Sequence, residues 1–267
     1  MNTRKTSSTL RFLERNEVFT LQEFLGSVDH TVSERTRYAN LVNAVRRGQA
    51  YRVRRGLYVS NVGAYRDRVP NVFLVAAKAA PDAVVSHHSA LELQGAAHTP
   101  LRTVYFTSER RLAAFQARGY RFARLAPPRR LSHSDLFSGV ATARSGDALV
   151  PVTTRERTLV DCLRDVGAAG GLEELLRSLG GYPSLSTEAL HEYLRIVDSP
   201  TVTARVGWVL DLFAEQWEVD DSFLDELSRM IGRGSYRLAR TEAQQQFVAR
   251  WRLYVPAGYP YDEWVRG

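Results

Sequence analysis

The sequence predicts an α+β fold in three parts: a head of short helices with a basic hairpin, a mixed α/β middle, and a mainly helical tail. Three observations carry this reading. Residues 18–59 run in the order short strand, helix, helix, arginine-tipped hairpin. Apolar spacing is helical in the head, strand-like in several segments between 103 and 152, and helical again beyond 187. Formal charge is divided too, at +6 over residues 1–60, +6 over 61–169 and −5 over 170–267. These spans are the expected domains, and 61–267 can also close as one unit.

In the head, a helix over residues 8–16 turns Leu10 and Leu13 inward. Thr20 is the expected N-cap of a helix over 21–25, its hydroxyl accepting an orphan amide of the first turn, and Gly26 is the expected end. The next helix starts at Ser33, another capping hydroxyl, and runs to Arg47, with Gly48 supplying the left-handed exit. Tyr38, Leu41, Val42 and Val45 fall at i, i+3, i+4 and i+7, which defines the stripe expected to be buried. The opposite side carries Ser33, Thr36, Asn40, Asn43 and Arg47, with Arg37 on its edge. Arginine donates a bidentate pair to guanine and asparagine does so to adenine, so Arg37 and Asn40 are the expected base readers. Arg46 and Arg47 are expected on phosphates. Tyr51 and Val53 then alternate with Arg52 and Arg54, and Arg54-Arg55-Gly56 makes a tight turn into Leu57-Tyr58-Val59. This is the order of a winged helix-turn-helix, in which one helix enters the major groove of double-stranded DNA. The outward arginines Arg52, Arg54 and Arg55 of the hairpin would reach the backbone. The competing reading is an ordinary solvated basic face, but helix register, cap, turn and wing all point to DNA.

In the middle, residues 72–80 form an apolar, alanine-rich helix stopped by Pro81-Asp82. Ser86 is the expected cap of a helix through Leu93 that ends at Gly95. Residues 103–107, 120–125, 140–143 and 149–152 read as strands of a small, partly antiparallel sheet flanked by helices. Thr154 caps the following helix, where Arg157 and Asp161 pair at i,i+4. The tail has helices from Thr187, over 202–217 and over 221–231, then two segments, 235–239 and 250–255, that can pair as strands. Tyr259, Tyr261 and Trp264 are expected to pack down the last segment.

With 267 residues and 44% hydrophobic composition, the chain can bury a sizeable core. Its net charge of +7, concentrated in the first two thirds, suits an anionic partner whose binding weakens with salt. Only Lys5 and Lys78 are lysines, and the other 34 cations are arginines. The single cysteine, Cys162, excludes an intramolecular disulfide. No apolar run reaches the ~18 residues of a membrane span, so a cytoplasmic protein without a membrane partner is expected.

No enzyme is read here. His87 and His88 are helix neighbours pointing about 100° apart, which prevents them from sharing one metal ion easily, and no strand-turn-helix elbow surrounds Ser89. His88 and Ser89 are instead expected at a domain contact. There is no Walker loop, no dinucleotide glycine signature and no Cys/His set with zinc spacing, so neither cofactor nor metal is expected. A winged-helix-targeted nuclease needs clustered carboxylates, often with a lysine, and neither lysine follows an acid by two positions within a strand.

Four stretches resemble one family. They are Arg55-Gly56-Leu57-Tyr58-Val59, then 85–95 with Ser86-His87-His88-Ser89-Ala90 and Gly95, then Arg157-Thr158-Leu159-Val160-Asp161, and finally Ala204-Arg205-Val206-Gly207-Trp208-Val209-Leu210. In order and spacing they resemble the AbiEi antitoxins of type IV toxin-antitoxin, or abortive-infection, systems. The resemblance implies a winged helix that binds inverted repeats in its own promoter and represses a two-gene operon. It also implies an antitoxin region that counters a nucleotidyltransferase-like toxin without needing a stable complex. Ser86, His88, Ser89, Gly95, Arg157, Asp161 and Arg205 are then family positions with a structural or antitoxin role. The chain is accordingly expected to be an autorepressor and antitoxin; a nuclease and a ligand-sensing transcription factor are the alternatives.

Overall fold

The computed structural model describes residues 7–28, 31–129, 131, 133–239 and 243–266. It has an α+β architecture. Helix α1 (Ser8–Arg15) is capped by the Ser7 hydroxyl and buries Phe12 and Leu13; Leu10 is partly buried against the same core. Strand β1 (Val18–Thr20) leads directly into α2 (Leu21–Ser27) through a reciprocal cap. Thr20 Oγ1 accepts from the Glu23 amide at 3.1 Å, and Glu23 Oε2 accepts from the Thr20 amide at 2.7 Å. Gly26 does not end this helix. The chain stays right-handed through Ser27, and the Val28 amide still bonds to Phe24. Helix α3 (Glu34–Arg46) starts at Ser33 and leaves through Gly48 at φ +69°, as its sequence predicts.

Strands β2 (Ala50–Arg54) and β3 (Leu57–Ser60) complete a three-stranded antiparallel sheet ordered β1-β3-β2. All four residues of β3 are buried, because each face has its own core. Tyr58 faces the head, stacked on Phe19 at 5.7 Å, while Phe12 meets Phe19 and Phe24 edge-on at 5.1 and 5.2 Å. Leu57 and Val59 join the apolar cluster that contains Val75, Val85 and Phe106 of the body. The apolar packing therefore continues across residue 60.

The body opens with α4 (Val72–Ala77), capped by Asn71 and ending three residues short of the expected point. It is followed by β4 (Val84–Val85), α5 (His88–Leu93), β5 (Thr103–Thr107), β6 (Phe115–Ala117), β7 (Tyr120–Leu125), β8 (Val140–Ser145) and β9 (Ala148–Thr153). The six strands form one mixed sheet in the order β6-β7-β5-β4-β9-β8, with β5–β7 and β4–β9 parallel. Strands β4 and β6 have two and three residues, too few to show a period in the sequence.

Helix α6 (Arg155–Arg164), capped by Thr154, crosses from sheet to tail. Then come α7 (Leu172–Leu179), α8 (Thr187–Val197), α9 (Pro200–Leu212) and α10 (Asp221–Met230). A small sheet of β10 (Tyr236–Arg237), β11 (Gln245–Val248) and β12 (Leu253–Pro256) is ordered β10-β12-β11, and α11 (Tyr261–Arg266) closes the chain. Strands β10 and β12 pair, as expected, and run parallel to each other; β11, α7 and α11 are additional. Tyr261 and Trp264 are buried at the end, and Tyr259 beside them is exposed. The largest core joins Leu91, Leu159, Val160, Cys162 and Leu163 to the tail helices and Trp251, so it also crosses residue 169. Among the described residues, no helix is long and apolar enough to cross a membrane.

Trp251 is fully buried against Gly207, in the middle of α9. A Cβ at Gly207 would lie 2.0 Å from the indole. Gly207→Ala should therefore lower unfolding stability by about 1 to 3 kcal/mol through overpacking, despite the ~1 kcal/mol that alanine gains in a helix. Gly26→Ala, with nothing within 4 Å, should instead stabilise by about 0.5 to 1 kcal/mol. Denaturant titration of both variants checks the pair.

Candidate nucleic-acid interface

Helix α3 is anchored by Leu41 and Ala44, with Val42 and Val45 partly buried beside them. Tyr38 is not in that stripe; it is 45% exposed. The i, i+3, i+4, i+7 spacing put the tyrosine in the stripe, but the helix rolls so that small Ala44 sits inside and Arg37 occupies the edge of the buried side. Tyr38 and Arg52 each act electrostatically on the Tyr58 phenol. Burial raises the Tyr58 pKa, and Tyr38 raises it further while Arg52 lowers it.

The polar edge of α3 faces outward. Ser33, Thr36, Asn40, Asn43, Arg46 and Arg47 are all exposed. The two hydroxyls belong partly to the cap, because Ser33 Oγ accepts from the Thr36 amide at 3.2 Å and lies 2.9 Å from Thr36 Oγ1. Asn40, Asn43 and Arg47 then share one side at i, i+3 and i+7. Arg37 is half-buried in a cleft with Leu21, Leu25 and Gly56.

The hairpin separates its three arginines. Arg52 and Arg55 are exposed. Arg54 does not point outward: its Nη1 donates to the Ala79 carbonyl and its guanidinium lies 5.7 Å from the Phe115 ring centroid. A register shift between Arg52 and Arg54 breaks the alternation that would have put both on one face. Lys78 pairs with Glu23 nearby, and Asn71 N donates to Glu17 Oε1 at 2.9 Å, so the head is fastened to the body at several points.

The second group of sequence-selected residues lies elsewhere, buried between sheet and tail. Ser86 is not a helix cap. Its Oγ accepts from Thr107 Oγ1 at 2.9 Å and lies 3.0 Å from His87 Nδ1, while α5 begins only at His88. His87 occupies the cap position at φ +53° and makes no side-chain cap bond. Helix α5 is then tied in both directions: Ser89 Oγ accepts from the Tyr105 amide at 2.8 Å, and His88 Nε2 is 3.1 Å from Glu174 Oε1 on α7. Gly95, at φ +74°, ends the helix.

Arg157 and Asp161 are both fully buried. Arg157 Nε donates to Asp161 Oδ2 at 3.3 Å, and its Nη1 donates to the carbonyls of Leu136 and Ser138 at 2.6 and 2.7 Å. Asp161 Oδ1 also accepts from Arg164 Nη1 at 3.0 Å and Tyr193 Oη at 3.2 Å. Burial works to raise the Asp161 pKa, but His87, Arg157 and Arg164 outweigh it and hold the carboxyl below its ordinary value. Arg205 donates to the carbonyls of Leu163 and Arg237 at 2.7 and 2.9 Å, joining α6 to β10. These residues hold elements together. Sequence reading did not single out Tyr193 or Glu174, since partners more than 30 residues away leave no local period. Among the described residues, no group of three or more His, Cys, Asp and Glu side chains is placed to hold a metal ion.

No protein family and no curated protein matches this sequence. Among solved structures, the RV2827C protein from Mycobacterium tuberculosis is similar, with a TM-score of 0.59 at 14% identity over 93% of this chain and 90% of that one. At that identity the likeness concerns the fold alone.

Burial lowers the His87 pKa from 6.5 to about 4, against a smaller opposing pull from Asp161. The folded chain therefore keeps His87 neutral while the unfolded chain protonates it below pH 6.5, so stability falls as pH drops from about 6.5 to 4. The expected loss attributable to His87 is about 3 kcal/mol. His87→Asn should flatten the curve in that window, as measured by urea unfolding against pH; a slope equal to that of the unmodified chain would clear His87.

Proposed function

We propose that this chain is a DNA-binding repressor of the operon that encodes it, and that the remainder of the chain acts as an antitoxin. In this reading the head is a winged helix-turn-helix. Helix α3 enters the major groove, with Asn40 and Asn43 at base edges and Arg46 and Arg47 on phosphates. The observation that carries the proposal is the exposed polar edge of α3, standing beside the exposed Arg52 of the hairpin. Charge supports it, since residues 1–169 hold the whole positive excess and the tail is acidic. Arg37 becomes an edge contact, reaching bases only from the rim of its cleft, and Arg54 becomes a strut that fixes the wing to the body.

The antitoxin half of the proposal comes from the resemblance to the AbiEi family. Its partner is a nucleotidyltransferase-like toxin, countered without a stable complex. The family positions in this chain are core ties, so the antidote surface lies outside them, on exposed parts of the body or tail.

Full-length protein should bind a duplex carrying the sequence immediately upstream of its own gene more tightly than a random duplex. Asn40→Ala should cost about 1 to 3 kcal/mol at one base position, read by fluorescence anisotropy across single-base operator variants. Equal affinity for both duplexes would defeat the repressor reading. Co-expression with the product of the neighbouring gene tests the other half: growth should be restored, and toxicity that persists would remove the antitoxin role.

A further inference from the structure

We propose that the turn between β6 and β7 is a second clamp on the DNA backbone, with Arg118 as its phosphate-gripping residue. This inference rests on the DNA-binding reading above and extends the interface beyond the head. Ala117 and Tyr120 are the last paired residues of the hairpin, so Arg118 and Gly119 form a two-residue turn with φ of +47° and +81°. Two successive positive φ values are the pattern of a type I′ turn, whose first position favours asparagine, aspartate or glycine. Arginine is disfavoured there, because its Cβ crowds the following carbonyl in the left-handed region. Closing the hairpin does not require that side chain, and a non-glycine outlier of this kind calls for a role.

The surroundings supply one. The Arg118 guanidinium lies 4.8 Å from the Tyr51 ring centroid on β2, while Arg54 lies 5.7 Å from that of Phe115 on β6. These two contacts set β6 alongside the wing strand in the opposite direction. Between them and the end of α3 runs a groove of about 420 Å³, lined by Val45, Gly48, Arg52, Asn61, Gln116 and Arg118 among others. Its lining contains two cations and no carboxylate. The nearby acid that acts on Tyr51, Glu17, already accepts the Asn71 amide. Arg47, Arg52 and Arg118 are all exposed. Val45 and Gly48 bring the groove to the C-terminal end of α3, where Arg47 is exposed, and in the proposed docking a phosphate rail passes this end. Stacking on Tyr51 holds the guanidinium in place without neutralising it.

Arg118→Gly removes the cation and relieves the turn, so its melting temperature should equal or exceed that of the unmodified chain. Affinity of the full-length variant is measured by fluorescence anisotropy at several salt concentrations, against the upstream duplex and a random duplex. Both affinities should fall by a similar factor, roughly five- to tenfold near 0.1 M salt, and the slope of log affinity on log salt should become shallower by about 0.9. Arg118→Gln should show the same loss, and Arg118→Lys should recover the slope. Wild-type affinity and slope in both Arg118→Gly and Arg118→Gln, with Asn40→Ala still impaired at the operator, would overturn the clamp and leave the head reading intact. A loss confined to the upstream duplex would also overturn it, since a backbone contact cannot discriminate. If the unmodified chain binds neither duplex, clamp and repressor fall together.

Discussion

Strand β3 is the constraint on which the positioning of the head depends. It is the central strand of the head sheet, and it alternates between two cores: Tyr58 turns toward the phenylalanine cluster, and Leu57 and Val59 turn toward the body. A strand buried on both faces cannot slide by one residue without exchanging its two sets of partners. Ser60 adds a further tie, its hydroxyl donating to the Leu13 carbonyl at 2.7 Å. The head is therefore docked rather than tethered, and Arg54 and the Lys78–Glu23 pair sit at the margin of that docking. For a DNA-binding role the consequence is geometric. The outward edge of α3 has a defined relation to the basic sheet beside it, which a flexible linker would not provide.

A different interaction holds sheet to tail. Arg157 has no exposed surface, and taking a guanidinium out of water costs several kcal/mol unless its donors are occupied. Two carbonyls, one carboxylate and the Tyr193 ring at 5.3 Å meet it here. Such a pair is weak as a source of stability but strict about geometry, because removing Asp161 would leave the buried guanidinium without its counter-charge, at a cost of about 3 to 5 kcal/mol. The family-like motifs at 86–89 and 157–161 converge on this junction with Glu174 and Tyr193. Their polar atoms are mostly engaged with one another, with Arg157 Nη2 and His88 Nδ1 buried without a hydrogen-bond partner.

What the sequence showed of this fold follows from how local each signal is. Caps at Thr20, Ser33 and Thr154 and the exit at Gly48 depend on neighbours within four residues, and each stands where it was expected. Tyr38 and Arg54 were misplaced for non-local reasons. The roll of α3 is set by what the head can pack, and the direction of Arg54 by a carbonyl 25 residues away. Ser86 was read as a cap because serine before a helix usually is one; here the strand-side hydroxyl of Thr107 takes it instead. Of the candidate interface, the α3 edge was legible as a stripe, whereas Arg118 was not. Its contact with Tyr51 arises only when β6 comes to lie beside β2.

The shared strand and the buried junction make the packing continuous along the described residues. β3 belongs to head and body at once, and α6 carries residues of the large tail core while Arg157 on the same helix binds carbonyls beside the sheet. If the head binds DNA and the tail meets a toxin or its target, the two events share one packed framework.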